Sequence, residues 1–254
     1  MTLGIIAALP QEIADLLKLM KGQMQTHTVG MRTFYQGKIG GQSCVLVLAR
    51  VGKVAASATC VTLIQKFGVD RIIFTGLAGG VSAEVNVGDI VIGTSFCQHD
   101  MNAEPLFPRY EIPLLGKQYF VSDSELNAAL IVGTTQFLQG EGQYSLQRML
   151  PKENIDLFGL TNMKIHQGLI LSGDQFIGSA EAVLELRNNF PDALCTEMEG
   201  AAVAQVCYEY GTPFAVLRVI SDKANNSAGY DFTRFLNEVA PVVSSGILLN
   251  FLLS

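Results

Sequence analysis

At 254 residues, 49% of them hydrophobic and 16% charged, the chain is richer in apolar residues than an average soluble protein, which favours a large buried core over disorder. Its 17 basic and 23 acidic residues leave a formal charge of −6, which argues against a nucleic-acid or anionic-membrane surface, since either needs a basic stripe. The ligand expected from this balance is small or neutral.

The N-terminal stretch MTLGIIAALPQEIADLL lacks the basic leader of a signal peptide, and Pro10, Gln11 and Glu12 break its apolar run. LGIIAAL predicts a buried strand, with Pro10 suited to the first turn of the helix that follows. MRTFYQGKIGGQSCVLVLA predicts a hairpin turning at Gly40 and Gly41. KVAASATCVTLIQKF then reads as a helix, and RIIFTG and GDIVIGTS as two strands. From Met101 to Asp123 three prolines interrupt the pattern, while Phe107, Tyr110, Tyr119 and Phe120 make the stretch too apolar for a solvated tether. It reads as a folded loop covering a pocket or a neighbouring subunit. KIHQGLILSG and PFAVLRVIS complete the strands. Helices are expected around Glu181 to Asn188, Gly200 to Tyr210 and Phe232 to Leu253, the last apolar all round at VVSSGILLNFLL and suited to packing on the sheet or a partner.

Strands alternating with helices in this way predict a layered α/β fold. No apolar run has the length of a membrane-spanning helix. Cys44, Cys60, Cys97, Cys195 and Cys207 are odd in number, lie in apolar contexts and lack CxxC spacing, so they read as buried thiols of a cytosolic protein. His27, His99 and His166 are scattered, and no metal site is expected.

In open α/β sheets ligands collect beyond the carboxyl ends of the strands. Those ends carry Glu12, the glycine stretch TGLAGG (Thr75 to Gly80), SGDQFIGS (Ser172 to Ser179), the pair Glu197 and Glu199, and RVISD (Arg218 to Asp222). Each has a plain structural reading. Glu12 opposes the dipole of the helix it begins, TGLAGG is a turn without the Lys-Ser/Thr of a phosphate loop, Phe176 is a core aromatic, and Asp222 is a helix N-cap. Four acids at strand ends of one apolar chain are harder to explain separately.

Taken in order, GIIAALPQE, VGKVAA, FTGLAGG, VGDIVIG, HD, SGDQFI, EMEGAAVAQVC and RVISDKAN resemble the nucleoside phosphorylase and nucleosidase superfamily, and most of all its 5′-methylthioadenosine/S-adenosylhomocysteine nucleosidases. The resemblance covers nearly the whole chain, 1–254. It implies a single-domain, three-layer α/β/α sandwich around a mixed, twisted central sheet. The activity it implies is hydrolysis of the N9–C1′ bond of an adenine nucleoside through an oxocarbenium-like transition state, without cofactor or metal. Asp222 is then the general acid toward N7, holding its proton in an apolar pocket, and Glu12 accepts a proton from the attacking water. Glu199 takes the 2′- and 3′-hydroxyls of the ribose, with Met198 against the sugar. Phe176 stacks on the adenine, the backbone of Ile177 reads its edge, Ser221 steadies Asp222, and Phe232 closes over the 5′ substituent. Arg218 helps hold the water or the carboxylate that binds the ribose, and Val51, Ala78 and Gly79 line the pocket. Glu197 has no role in this scheme beyond a structural one.

Two positions depart from the family pattern. Leu77 stands where a serine contacts the water, and Arg50 where a small residue is usual, so that a guanidinium near the ribose is free to bind an anion. The Met101 to Gly168 region is also longer than in compact members. The resemblance further implies a homodimer, with the stretch Leu106 to Tyr110 lent to the neighbouring 5′ pocket, and the cysteines point to a cytoplasmic setting. Alternative readings are a phosphorylase with Arg50 among its phosphate ligands, a futalosine-type nucleosidase, and a non-catalytic nucleoside-binding or storage relative. Phosphate would be repelled by Glu12, and storage needs none of the acids.

Overall fold

The computed structural model describes residues 1–7, 10, 14–20, 24–223 and 234–253. Ten described strands form one mixed sheet: β1 (Thr2–Ala7), β2 (Gln25–Val29), β3 (Arg32–Ile39), β4 (Gln42–Leu48), β5 (Arg71–Gly80), β6 (Ile90–Gln98), β7 (Phe120–Val121), β8 (Ile165–Ser172), β9 (Ala193–Glu197) and β10 (Phe214–Asp222). The helices are α1 (Ala14–Leu19), α2 (Lys53–Phe67), α3 (Ser124–Gln139), α4 (Leu146–Met149), α5 (Lys152–Leu157), α6 (Ala180–Asn189), α7 (Gly200–Tyr210) and α8 (Ala240–Leu253).

Side chains of a strand alternate between faces, and here both faces are apolar. Along β1, Leu3, Ile5 and Ala7 join one core with Leu130 of α3 and Ile247 of α8, whereas Ile6 joins another with Cys60 and Leu63 of α2 and Val203 of α7. In β4 the split is Cys44 and Leu46 against Val45 and Val47; in β10 it is Ala215, Leu217 and Val219 against Phe214, Val216 and Ile220. That double coverage makes the predicted three layers. Gly133 lets α3 and α8 approach closely, since a Cβ there would meet the Phe251 nitrogen at 3.0 Å and the Ile247 oxygen at 3.1 Å.

The sheet runs β10-β6-β8-β9-β5-β1-β4-β3-β2, with β7 on β6, and β10 pairs with β5 as well. This closes five strands, β5, β10, β6, β8 and β9, into a ring. The closure depends on β5, whose Arg71–Thr75 segment pairs with Leu3–Ala7 of β1, while its last two residues, Gly79 and Gly80, pair with Thr196 and Cys195 of β9. TGLAGG is therefore strand and not turn. Its glycines stand where the strand leaves β1 for β9, and a Cβ on Gly80 would meet Val85 at 3.1 Å.

The predicted hairpin forms as β3–β4, with Ile39 opposite Gln42 and both glycines at positive φ (56° and 87°), the geometry of a two-residue primed turn. Beyond the reading from sequence are β2, β9 and α3. The start of α3 carries a local signal, since Asp123 Oδ1 accepts the Leu126 N–H at 2.8 Å as an N-cap. Toward the C-terminus residues 234–238 are helical, a turn falls at 239, and α8 begins at Ala240. Pro241, which lacks an N–H and clashes with the preceding turn, explains why one continuous helix does not form. The proline-rich stretch is a run of turns closed by an Ile112–Lys117 bridge and pinned by Tyr110 on Phe190 (ring centroids 4.7 Å apart). No described helix is long and apolar enough to cross a membrane.

Candidate active site

One cavity of about 280 Å³ lies where β5, β9 and β10 end, bounded by the loop after β8 and the loop before α2. Its walls include Val51, Leu77, Ala78, Gly79, Phe176, Ile177, Met198, Glu199, Ser221 and Asp222, with Gln175, Thr196 and Glu197 completing them.

Glu197 and Glu199 are both buried, yet they are held differently. Glu197, the last residue of β9, accepts the backbone N–H of Glu199 at 3.1 Å and that of Gly200 at 2.8 Å, placing its charge at the N-terminus of α7 where the helix dipole favours it. Its Oε1 also accepts the Ser172 hydroxyl, and its Oε2 accepts Arg218 Nη2 at 2.5 Å. The Arg218 guanidinium lies 4.1 Å from the Phe74 ring centroid and is itself buried. This ion pair joins β9 and β10, which are not neighbours in the sheet. Glu199, at the cap position of α7, has Oε1 held by the Gly52 N–H at 2.8 Å. Glu199 lines the cavity with this oxygen oriented by the backbone just before α2.

Asp222 ends β10 opposite Gly79, and the pairing slips between Ile220 and Asp222. Neighbouring strand residues normally face opposite sides; a bulge re-aims them. Ser221 and Asp222 consequently both line the cavity, and the Ser221 hydroxyl donates to Asp222 Oδ2 at 2.8 Å. The Ala78 carbonyl lies 3.4 Å from the same hydroxyl.

The loop after β8 is fixed at its root. Asp174 Oδ1 accepts the Lys53 N–H at 2.8 Å, and the Asp174 N–H donates to Asp100 Oδ2 at 2.9 Å. Asp100 is paired with Lys53 Nζ at 2.6 Å; burial raises its carboxyl, but Lys53 and the Asp174 N–H outweigh it and hold it below the ordinary value. With its root anchored, the loop carries Gln175 to Ile177 along the cavity, and Phe176 stays 62% exposed at the mouth. That exposure removes the core-aromatic reading.

Nine of the residues picked from sequence thus share one cavity: Val51, Ala78, Gly79, Phe176, Ile177, Met198, Glu199, Ser221 and Asp222. Arg218 is not part of the lining; its Nη2 reaches Glu197, two residues from Glu199. Glu12 and Phe232 lie outside the described residues. Reasoning from sequence missed Ser172, Gly52 and Asp174, which hold the acids and the loop. The strings SGD and VGK marked the region, but a backbone N–H donor leaves no trace in residue type. Leu77 faces the cavity as an apolar wall, and Arg50 has the left-handed φ of 69° that glycine adopts without strain.

Residues 2–250 match the family model described as the phosphorylase superfamily. The chain is 37% identical to the 5′-methylthioadenosine/S-adenosylhomocysteine nucleosidase of Colwellia psychrerythraea over 254 residues, covering 99% of this chain and 96% of that relative. The crystal structure of the Neisseria meningitidis enzyme of the same name, in complex with methylthio-immucillin-A, superposes with a TM-score of 0.85 at 32% identity, covering 99% and 98% of the two chains. The Colwellia psychrerythraea enzyme in complex with adenine gives a TM-score of 0.85 at 34% identity, covering 99% and 94%.

Proposed function

The chain belongs to the phosphorylase superfamily, and on that premise we propose that it is a hydrolase cleaving the N-glycosidic bond of 5′-methylthioadenosine, S-adenosylhomocysteine or similar 5′-substituted adenine nucleosides. Adenine and the substituted ribose are the products. The observation that carries this reading is the placing of two buried carboxyl groups, Glu199 and Asp222, on one largely apolar cavity with Phe176 at its mouth.

In the reaction the C1′–N9 electron pair passes to the purine, which leaves readily only if N7 gains a proton. Asp222 supplies it. The Ser221 hydroxyl serves both states: it donates to the carboxylate, and it accepts from the carboxylic acid while its own hydrogen turns to the Ala78 carbonyl. Glu199 accepts hydrogen bonds from the 2′- and 3′-hydroxyls, its orientation kept by Gly52. Phe176 stacks on the base, the Ile177 backbone reads its edge, Met198 packs on the sugar, and the glycine-rich end of β5 lets the ligand approach the backbone. Water adds to C1′ and gives its proton to Glu12; Phe232 closes over the 5′ group. Leu77 has no hydroxyl for the water, and Arg218 acts through the Glu197 that fixes the turn carrying Glu199.

The decisive assay is turnover in phosphate-free buffer with identification of the sugar. Free 5′-substituted ribose and indifference to added phosphate are expected. A ribose 1-phosphate, or activity that appears only with phosphate, overturns the hydrolase.

The same reading includes a homodimer. It is supported by Leu106 (83% exposed) and Leu114 (93% exposed) on the proline-rich segment, a patch that a second copy would bury. Sedimentation showing a fully active monomer overturns that part. A cytoplasmic setting is supported by the cysteines, all five of them buried free thiols; burial pushes Cys44 up to about 11 and Cys97 up to about 12.

A further inference from the structure

Val51 lines the cavity and is 51% exposed, and the loop that carries it is held by two arginines, Arg50 and Arg32, that no part of the reaction uses. Arg50 precedes Val51 in the loop between β4 and α2, outside the cavity lining and exposed to solvent. Its Nη2 donates to the Met31 carbonyl at 2.7 Å, at the tip of the β2–β3 hairpin. Arg32, on the same hairpin, donates to the carbonyls of Gly30 (3.1 Å), Ala55 (3.3 Å) and Ala49 (3.4 Å). Neither guanidinium has a carboxylate partner among the described residues. In a chain with six excess negative charges, Arg50 of the β4–α2 loop and Arg32 of the adjoining hairpin are therefore steadied by neutral oxygens and keep their charge for something else.

Arg50 also stands at φ 69°, one of four described non-glycine residues in the left-handed region. An arginine kept where glycine fits without strain is an outlier of the kind that collects at ligand sites. The direction of the ligand follows from the acids. The base leaves the ribose at C1′ and the 5′ substituent at C4′, on the two sides of the ring oxygen. With the base at Asp222 and the hydroxyls on Glu199, which is itself bonded to Gly52, the 5′ substituent heads for Val51 and the loop that carries Arg50.

We propose that Arg50, on a loop braced by Arg32, is a specificity determinant that takes the carboxylate of an amino-acid-bearing 5′ substituent and tilts the enzyme toward S-adenosylhomocysteine-type nucleosides over neutral methylthio ones. This rests on the nucleosidase reading above. A guanidinium fork matches a carboxylate in two parallel hydrogen bonds, whereas a thiomethyl group offers it nothing. Because the pair is solvent-exposed, its effect is modest and falls with salt.

The test is kcat/KM for both nucleosides in the wild type, Arg50→Gly and Arg50→Lys. Glycine suits the backbone angle, and lysine keeps the charge without the fork. The preference for the carboxylated nucleoside is expected to fall about three- to tenfold in Arg50→Gly and less in Arg50→Lys, through KM. It should also shrink in the wild type between roughly 0.05 and 0.5 M salt. A preference unchanged in both variants overturns the assignment of Arg50 and leaves the nucleosidase reading standing. A wild type that hydrolyses neither nucleoside overturns both.

Discussion

The floor and the rim of the cavity are built on opposite principles. The floor is held from beneath: Glu197 of the lining joins Arg218, Ser172 and the first N–H groups of α7 in a buried polar network around the ends of β9 and β10. At the rim, Phe176, Val51 and Arg50 are exposed, and they sit on loops anchored through their neighbours Asp174 and Gly52. A floor of that kind fixes distances between acids to within what catalysis tolerates, while a rim of that kind tolerates exchange of side chains. Chemistry is therefore expected to be brittle at the floor and selectivity adjustable at the rim.

The comparison is tested most severely at Asp222. Asp222→Asn keeps the shape and removes the proton, so kcat should fall on the order of 10²–10⁴-fold, with adenine still bound when measured by calorimetry. Near-normal turnover would take Asp222 out of its role. Glu197→Gln probes the floor as structure: it removes the negative charge paired with the buried Arg218 Nη2, and a loss of about 3 kcal/mol in chemical denaturation is expected. Unchanged stability would mean that the network is ornamental to the fold.

Rim substitutions should cost less. Phe176→Ala removes a stacking face already open to water, so folding stability should stay within about 0.5 kcal/mol while KM rises roughly tenfold. A large drop in melting temperature would show that the ring belongs to the core after all.

The smallest effect concerns His99, buried beside Gly173, whose imidazole is held below its ordinary value of 6.5 chiefly by burial, against the opposing charge of Asp100 and with help from Lys53. The native state then binds fewer protons than the unfolded state in the window just below 6.5. Stability is full above that window and declines as pH falls through it toward the folded value. The slope of melting temperature against pH should flatten in His99→Gln, and an identical slope would assign the effect to another group.

Much of the floor was legible because its residues are chemically loud. Acids at the ends of apolar strands stand out, and EMEG and RVISD carry that signal. The layered fold was legible from the strand runs and helix periodicity, and the β3–β4 turn from Gly40 and Gly41. What stayed hidden were relations between distant backbones. Nothing in TGLAGG distinguishes a turn from a strand changing partners, because the deciding contacts come from β9 and β10, more than a hundred residues on. Glu197 could be seen but not interpreted until Arg218 was beside it. The start of α3 is signalled only by Asp123, because the prolines just before it interrupt any regular pattern that would lead into the helix.

The ring of five strands also has a consequence in time. β10 closes it by pairing with β5 and β6, and β10 is the last of its strands to leave the ribosome. Until it docks, β5 lacks its long parallel neighbour, Glu197 lacks Arg218, and no acid stands opposite Gly79. These pairings span long stretches of sequence, so they are the slow, late part of folding. A nascent chain that has already built the hairpin and α2 is accordingly without activity, and the first turnover of nucleoside reports that the whole sheet has closed.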